Sequence, residues 1–257
     1  MKQGADSPGL AQPRGPAAPG KGPPFAAGLS AFPPAAHPGV AGMLCRWLAV
    51  VAAVSAVRAQ APPAGPPGDE RPAELPKSVD LRPQLASWGL QPRGQGSRNT
   101  CSVFVTAEAL EFAVSRHFAR GITLSVEYLN WACNQVIRNE TADRGQFFHD
   151  LLKGFEAHGI CPETDMPYQA RFDPALRPSE KAMASAGEIR KLGLQVHWIN
   201  PWKPQPGLTE DHLRRIKAVL ARGYPVAAGS SHSRLLVGYT DDARQPGGGL
   251  FMTKDSG

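Results

Sequence analysis

Apolar residues recur at intervals of three and four along residues 101–118, a spacing that places them on one face of an α-helix. Thr100 or Asn99 can cap the start of this helix, so the sequence predicts that Cys101 lies in its first turn. The apolar face consists of Val103, Ala107, Leu110, Val114 and Phe118, whereas Glu108, Glu111 and Ser115 fall on other faces.

The same spacing predicts further helices, and a two-residue alternation predicts strands toward the end of the chain. The helices are expected at residues 125–134, 148–158, 180–184 and 210–222, and the strands at residues 225–229, 235–239 and 250–253. Helices come first and strands second. This order is typical of an α+β chain with a helical half and a β half.

The first 75 residues have a different composition from the rest of the 257-residue chain. They hold 14 of the 26 prolines and 10 of the 27 glycines. A segment so rich in these two residues buries too little apolar surface to offset its ordering entropy. We therefore predict a disordered extension over residues 1–42 and a Pro-rich leader over residues 60–75, with the folded domain at residues 76–257.

Residues 43–59 have the layout of a secretory signal peptide. A Met and a nearby Arg46 precede about 11 apolar residues, and small residues surround a cleavage point after Ala59. An apolar run of this length is too short for a stable membrane anchor, which needs roughly 20 residues. We predict a secreted or periplasmic protein, in which either Met43 is the true start or the signal is internal.

Charge and motif spacing exclude two classes of function. The 28 Lys and Arg residues exceed the 22 Asp and Glu residues by only six, and they are scattered along the folded domain. A nucleic-acid surface needs clustered basic residues, so we expect no nucleic-acid partner. The chain also lacks C-x-x-C and H-E-x-x-H pairs, so we predict no metal and no cofactor.

Cys101 and His232 are the candidate residues for nucleophilic chemistry. A thiol in the first turn of a helix feels the positive end of the helix dipole, which favours the nucleophilic thiolate. The alternative is a buried core cysteine. A cysteine nucleophile needs a base, and His232 opens a predicted strand, whereas the other histidines after residue 100 lie in or beside helices or in an irregular stretch. The alternative for His232 is an ordinary surface histidine.

Six segments, in order, resemble the papain-like cysteine peptidases. They are LPKSVDLR at 75–82, QGSRNTC at 95–101, LSVEYL at 124–129, GICPETDMPY at 159–168, HSRLLVGY at 232–239 and KDSG at 254–257. The family has LPxSVDxR, QGxCGSC, LSxQxL, GxCPExxWPY, HAVxxVGY and KNSWG at these places. The resemblance implies a two-lobed α+β fold, with a helical N-terminal lobe, a β-rich C-terminal lobe and a cleft between them.

The resemblance also implies a role for each matching residue. Cys101 would attack a peptide carbonyl, and His232 would take up and return the proton. Asp255 stands where the family has an asparagine that orients the histidine. The Gln95 side chain and the Cys101 N–H would form the oxyanion hole, and Gly145 would pair with the substrate backbone.

Departures from the family pattern keep alternatives open. Arg98 replaces a cysteine that forms a disulfide in the family, and Ser102 replaces the Trp after the nucleophile. The Trp expected after Ser256 is absent, and we expect that the chain stops before the last strands of the β lobe. The leading prediction is a monomeric, exported cysteine peptidase acting on peptides or proteins. The alternatives are an inactive domain that binds peptides or a partner, and an acyl transferase.

Removal of the signal peptide would take Cys45 away and leave three cysteines in an oxidising compartment. If the resemblance is right and Cys101 is a free thiol, only Cys133 and Cys161 remain to form a disulfide. The alternative is two separate buried thiols, because the sequence does not fix the distance between them.

Overall fold

A computed structural model describes residues 74–139, 143, 145–200 and 207–257. Its elements are β1 (Ser78–Asp80), α1 (Arg82–Ser87), α2 (Cys101–Phe118), α3 (Val126–Ile137), α4 (Phe148–His158), α5 (Glu180–Arg190), α6 (Glu210–Ala221), β2 (Val226–Ala228), β3 (Arg234–Asp241), a 3-10 helix (Pro246–Gly248) and β4 (Gly249–Lys254). The α+β class predicted from the sequence is confirmed. The predicted extension, signal peptide and most of the leader lie outside the described residues.

The main helices follow the predicted apolar pattern, with differences at their ends. Helix α2 begins at Cys101, and Thr100 occupies the N-cap position without a capping hydrogen bond from its side chain. Helix α5 extends to Arg190 rather than ending near residue 184. Its Ser179 cap accepts a hydrogen bond from the Ala182 N–H, and three apolar residues of this helix are buried. No helix in the described ranges is both long and apolar enough to span a bilayer.

The sheet is built around β3, which pairs antiparallel with the other three strands. Strands β1 and β2 occupy different halves of one edge of β3, and β4 runs along the other edge. Strand β1 comes from the N-terminal part of the chain, so this segment belongs to the β half and not to the helical half. A Cβ at Gly238 would lie 2.3 Å from the Val79 carbonyl oxygen, and the absence of a side chain therefore permits this pairing.

Two hydrophobic cores meet at helix α2. One core is helical and packs Val103 and Leu110 against α3 and α4. The other combines Val105 and Phe112 of the same helix with α6 and the sheet. Residues on opposite faces of α2 thus hold the two halves together, and the first residue of this shared helix is Cys101.

The predicted disulfide is wrong, because Cys133 and Cys161 are both buried free thiols. Cys133 packs within the helical core, where α3 and α4 approach so closely that a Cβ at Gly154 would lie 2.6 Å from the Cys133 nitrogen. Cys161 lies in a different cluster, beside Tyr128 and Met166. Burial raises the pKa of each thiol to about 12, so both remain protonated and unreactive near neutral pH.

Candidate active site

The loop before Cys101 is hydrogen-bonded to the segment that follows strand β4. The Gln95 N–H donates to the Ser256 carbonyl oxygen at 2.8 Å. The Ser256 hydroxyl in turn donates to Gln95 Oε1, also at 2.8 Å. This pair of bonds connects the segment carrying the candidate nucleophile directly to the residue after Asp255. A cleft of about 350 Å³ lies where these two segments meet. It is lined by Pro92, Arg93, Gly94, Gly96, Asp255, Ser256 and Gly257.

The amide of Gln95 is only partly available for an oxyanion. Its Nε2 donates to the Arg98 carbonyl oxygen at 2.8 Å, which orients the side chain across the turn before Cys101. A primary amide carries two N–H donors, so this bond leaves one donor for a ligand. The Cys101 N–H belongs to the first helical turn, whose N–H groups have no partner within the helix. The oxyanion role of Gln95 stays a prediction.

His232 and Asp255 form a direct pair. The His232 Nε2 and Asp255 Oδ1 atoms lie 2.6 Å apart, with both side chains roughly a quarter exposed. The same carboxylate accepts hydrogen bonds from the Gly257 N–H at 3.0 Å and from Arg234 Nε at 2.7 Å. Burial opposes ionisation, but the bonds from His232, Gly257 and Arg234 outweigh it and lower the pKa of Asp255 to about 2.

The candidate nucleophile and base are not hydrogen-bonded to each other. Within the described part of the chain, Cys101 Sγ has no hydrogen-bond partner, and His232 Nδ1 has none either. Because Asp255 engages Nε2, the unengaged Nδ1 is the ring atom left to accept a proton. The structure therefore brings His232, just before β3, together with Asp255, just after β4. The segment after β4 is linked to the Cys101 loop, without a hydrogen bond between sulfur and imidazole.

Arg98 forms a buried ionic cluster where the family has a cysteine. Its Nε donates to Asp143 Oδ2 at 2.6 Å, and its Nη1 donates to Glu127 Oε2 at 2.5 Å. The guanidinium also lies 4.6 Å from the ring centre of Tyr168. Burial disfavours the charge, yet the bonds to Asp143 and Glu127 outweigh this and raise the pKa of Arg98 above its ordinary value. The cluster thus ties the turn before Cys101 to α3 and to the segment that carries Gly145.

Ser102 takes part in a second link to that segment. Its hydroxyl accepts a hydrogen bond from the Gln146 N–H at 3.3 Å. The Gln146 side-chain amide donates to Asn130 and Asn134 of α3, at 2.9 and 2.8 Å. Gly145 is exposed next to this anchor, has a φ of 73° and faces open space. Its backbone is therefore accessible, and its role in substrate binding stays a prediction.

A second buried ionic cluster involves Lys254, the residue before Asp255, and two glutamates of helix α2. The sequence did not predict this cluster. Lys254, directly before Asp255, has its Nζ 3.1 Å from Glu108 Oε1 and 3.9 Å from Glu111 Oε2. Arg93 pairs with Glu111 from the other side. The sequence assigned both glutamates only to faces other than the apolar one, yet each is 1% exposed. Their three-residue spacing was the available signal, because it places two carboxylates on one face of α2.

Burial raises the pKa of Glu111 to about 7, against the lowering effects of Arg93 and Lys254. The pKa of Glu108 is also raised, again chiefly by burial. No group of three metal-ligating side chains occurs among the residues that the structure describes. The candidate groups for chemistry at the site are the Cys101 thiol, the His232 imidazole and the Asp255 carboxylate.

Comparison with solved structures identifies the fold of the chain. No family model and no curated protein matches the chain. The structure of xylellain, a cysteine protease from Xylella fastidiosa, is similar with a TM-score of 0.51 and 22% identity, over 72% of this chain and 75% of that one. The chain has the papain-like fold. Digestive procathepsin L 3 of Tenebrio molitor larval midgut shares this fold, with a TM-score of 0.50 and 19% identity, over 73% of this chain and 61% of that one.

Proposed function

We propose that this protein is an exported, monomeric cysteine peptidase that hydrolyses peptide bonds in proteins or peptides. The observation that carries the proposal is the His232–Asp255 pair. The segment that carries Asp255 is hydrogen-bonded through Ser256 and Gln95 to the loop that presents Cys101 at a helix N-terminus. A nucleophile, a base and an orienting group on connected elements are the minimum for covalent acyl transfer. The signal-like segment at residues 43–59 supports export.

The reaction follows from the roles of these groups. Cys101 Sγ attacks the carbonyl carbon of the scissile bond, and the thiol proton passes to His232. The Cys101 N–H and the free N–H of Gln95 donate to the oxyanion. The carbon–nitrogen bond then breaks as His232 gives its proton to the leaving amine, which leaves a thioester on Cys101. Water, losing a proton to His232, attacks the thioester and releases the carboxylic acid and the thiol.

The test is peptide hydrolysis by the purified protein together with labelling by an epoxide reagent that alkylates thiolates. We expect hydrolysis of an unfolded protein substrate, no turnover by Cys101→Ala, and one label that mass spectrometry assigns to Cys101. Cys133 and Cys161 are internal controls, since burial keeps them as thiols. Equal turnover by the Cys101→Ala variant would refute the mechanism.

A second candidate is a papain-like domain that binds peptides without cleaving them. Two observations favour it: Cys101 and His232 share no hydrogen bond within the described residues, and one N–H of Gln95 is already committed to the Arg98 carbonyl. For this candidate we expect a folded protein that neither turns over peptides nor reacts at Cys101. Peptide binding that survives Cys101→Ala would then establish the binding role.

A further inference from the structure

Arg234 occupies a position that strand geometry connects to both His232 and Asp255. His232 lies in the bend just before β3, two residues ahead of Arg234, and both side chains contact the Asp255 carboxylate. Strand β3 begins at Arg234, and Leu235 is in register with Lys254 of β4. Continuing this antiparallel register by one residue places Arg234 opposite Asp255, which directly follows β4. The sequence therefore brings a guanidinium and an imidazole to the same carboxylate.

The two oxygens of Asp255 have separate partners. Oδ1 serves His232 Nε2 and the Gly257 N–H, whereas Oδ2 accepts from Arg234 Nε at 2.7 Å. A carboxylate held only at Oδ1 can rotate about its Cβ–Cγ bond, and the bond at Oδ2 opposes this rotation. The hydrogen bond from Arg234 Nε to Asp255 Oδ2 is short and charge-assisted. It therefore fixes the plane of the Asp255 carboxylate relative to the His232 imidazole.

We propose that Arg234 is a positioning residue that holds the Asp255 carboxylate against His232 and balances its charge. The proposal rests on the proposed function, because it assigns Arg234 a role in the same catalytic group. The asparagine that the papain-like peptidases have at this place is uncharged, so it needs no counter-ion. With Asp255 in that place, Arg234 makes the pair neutral, so the carboxylate does not over-stabilise the imidazolium that must later protonate the leaving amine.

The first test measures the His232–Asp255 hydrogen bond without reference to activity. In the full chain, the ring N–H proton that His232 shares with Asp255 is followed by NMR in the unmodified protein, Arg234→Gln and Arg234→Lys. We expect this resonance to be broadened by solvent exchange in Arg234→Gln and largely restored in Arg234→Lys, which keeps a cationic donor. Arg244→Gln is the matched control, because Arg244 pairs with Asp242 just past the opposite end of β3, away from His232.

The second test uses kinetics of the same variants. We expect Arg234→Gln to lower kcat about two- to five-fold, the scale of a partly exposed ion pair, with KM unchanged. The double variant Asp255→Asn/Arg234→Gln should be faster than Asp255→Asn alone, because the single variant leaves an unbalanced guanidinium beside the imidazole.

The outcomes separate this inference from the proposed function. An unchanged His232 resonance in Arg234→Gln, in a protein that cleaves peptides, overturns the positioning role and leaves the peptidase intact. A broadened resonance that Arg234→Lys restores, in a protein without peptidase activity, supports the positioning role while the proposed function fails. Equal broadening of the His232 resonance in Arg244→Gln would also overturn the positioning role, because loss of any nearby arginine charge would then have the same effect.

Discussion

Two ionic groups are connected to the loop before Cys101, one through Arg98 within the loop and one through the Ser256–Gln95 bonds, and they differ in burial. The Arg98 side chain and its partners Glu127 and Asp143 are at most 7% exposed. The Asp255 side chain is 30% exposed and Arg234 is 45% exposed. Both groups pair a guanidinium with carboxylate in short bonds, although Arg98 has two carboxylate partners and Asp255 also pairs with an imidazole. The exposure to solvent is the difference that bears on their stability.

This difference in burial assigns different tasks to the two groups. Breaking a buried pair leaves a charge that water cannot reach, at a cost of several kcal/mol, whereas a partly exposed pair is worth about 0–1 kcal/mol. The Arg98 group therefore contributes to the stability of the loops around Cys101. The His232–Asp255–Arg234 group contributes little to stability and remains partly exposed to solvent, as the proposed proton transfer requires.

The largest expected effect falls on the exposed group and on rate. His232→Ala should lower kcat about 10²–10⁴-fold, or more, because it removes the proposed general acid and base. The free energy of unfolding should change little, since the imidazole is partly solvated. Steady-state kinetics and urea unfolding of the same preparation measure both quantities. A large loss of stability with normal kcat would reverse the assignment of tasks.

The next effect falls on the buried group and on stability. Arg98→Met should lower the free energy of unfolding by about 3–5 kcal/mol, because Glu127 and Asp143 lose their counter-charge in a buried site. Arg82→Met is the matched control, since Arg82 forms a similar pair with Asp80 but is well exposed. Urea unfolding should show a clear loss in the first variant and none in the second. Equal losses would mean that burial does not distinguish the pairs.

Helices α2 to α6 and strands β2 to β4 were predictable because local spacing carries them, whereas β1 and α1 were not predicted. Position along the chain singled out Cys101 and His232 as candidates, and the resemblance added Asp255. What could not be predicted were contacts that depend on the third dimension. The partners of Arg98 lie 29 and 45 residues away, and no spacing rule connects them. The predicted disulfide failed for the same reason, since Cys133 and Cys161 are packed in different clusters.

A smaller effect compares a buried carboxyl with the exposed one through pH. Burial raises the pKa of Glu111 to about 7, so the folded state resists its ionisation. The stability associated with Glu111 is full below its unfolded value near 4.5 and is lost as the pH rises through 7, on the order of 1–3 kcal/mol. Glu111→Gln should flatten the unfolding free energy between pH 4.5 and 7. Glu156→Gln, on an exposed face of α4, should leave the slope intact, and an unchanged slope in Glu111→Gln would contradict the prediction.

The smallest expected effect concerns Asp255, with the opposite sign. Its pKa of about 2 lies below its ordinary value near 3.8, so its stabilising effect is full above that value and is lost as the pH falls through 2. Asp255→Asn should remove this acid dependence and change kcat by a modest factor, because an amide oxygen can still accept the ring N–H of His232. Acid unfolding followed by circular dichroism measures the first effect, and a pH–rate profile measures the second. If Asp255→Asn abolished turnover as fully as His232→Ala, the negative charge of the carboxylate would be essential for activity. The partly exposed Asp255 group would then depend on charge as strongly as the buried Arg98 group does.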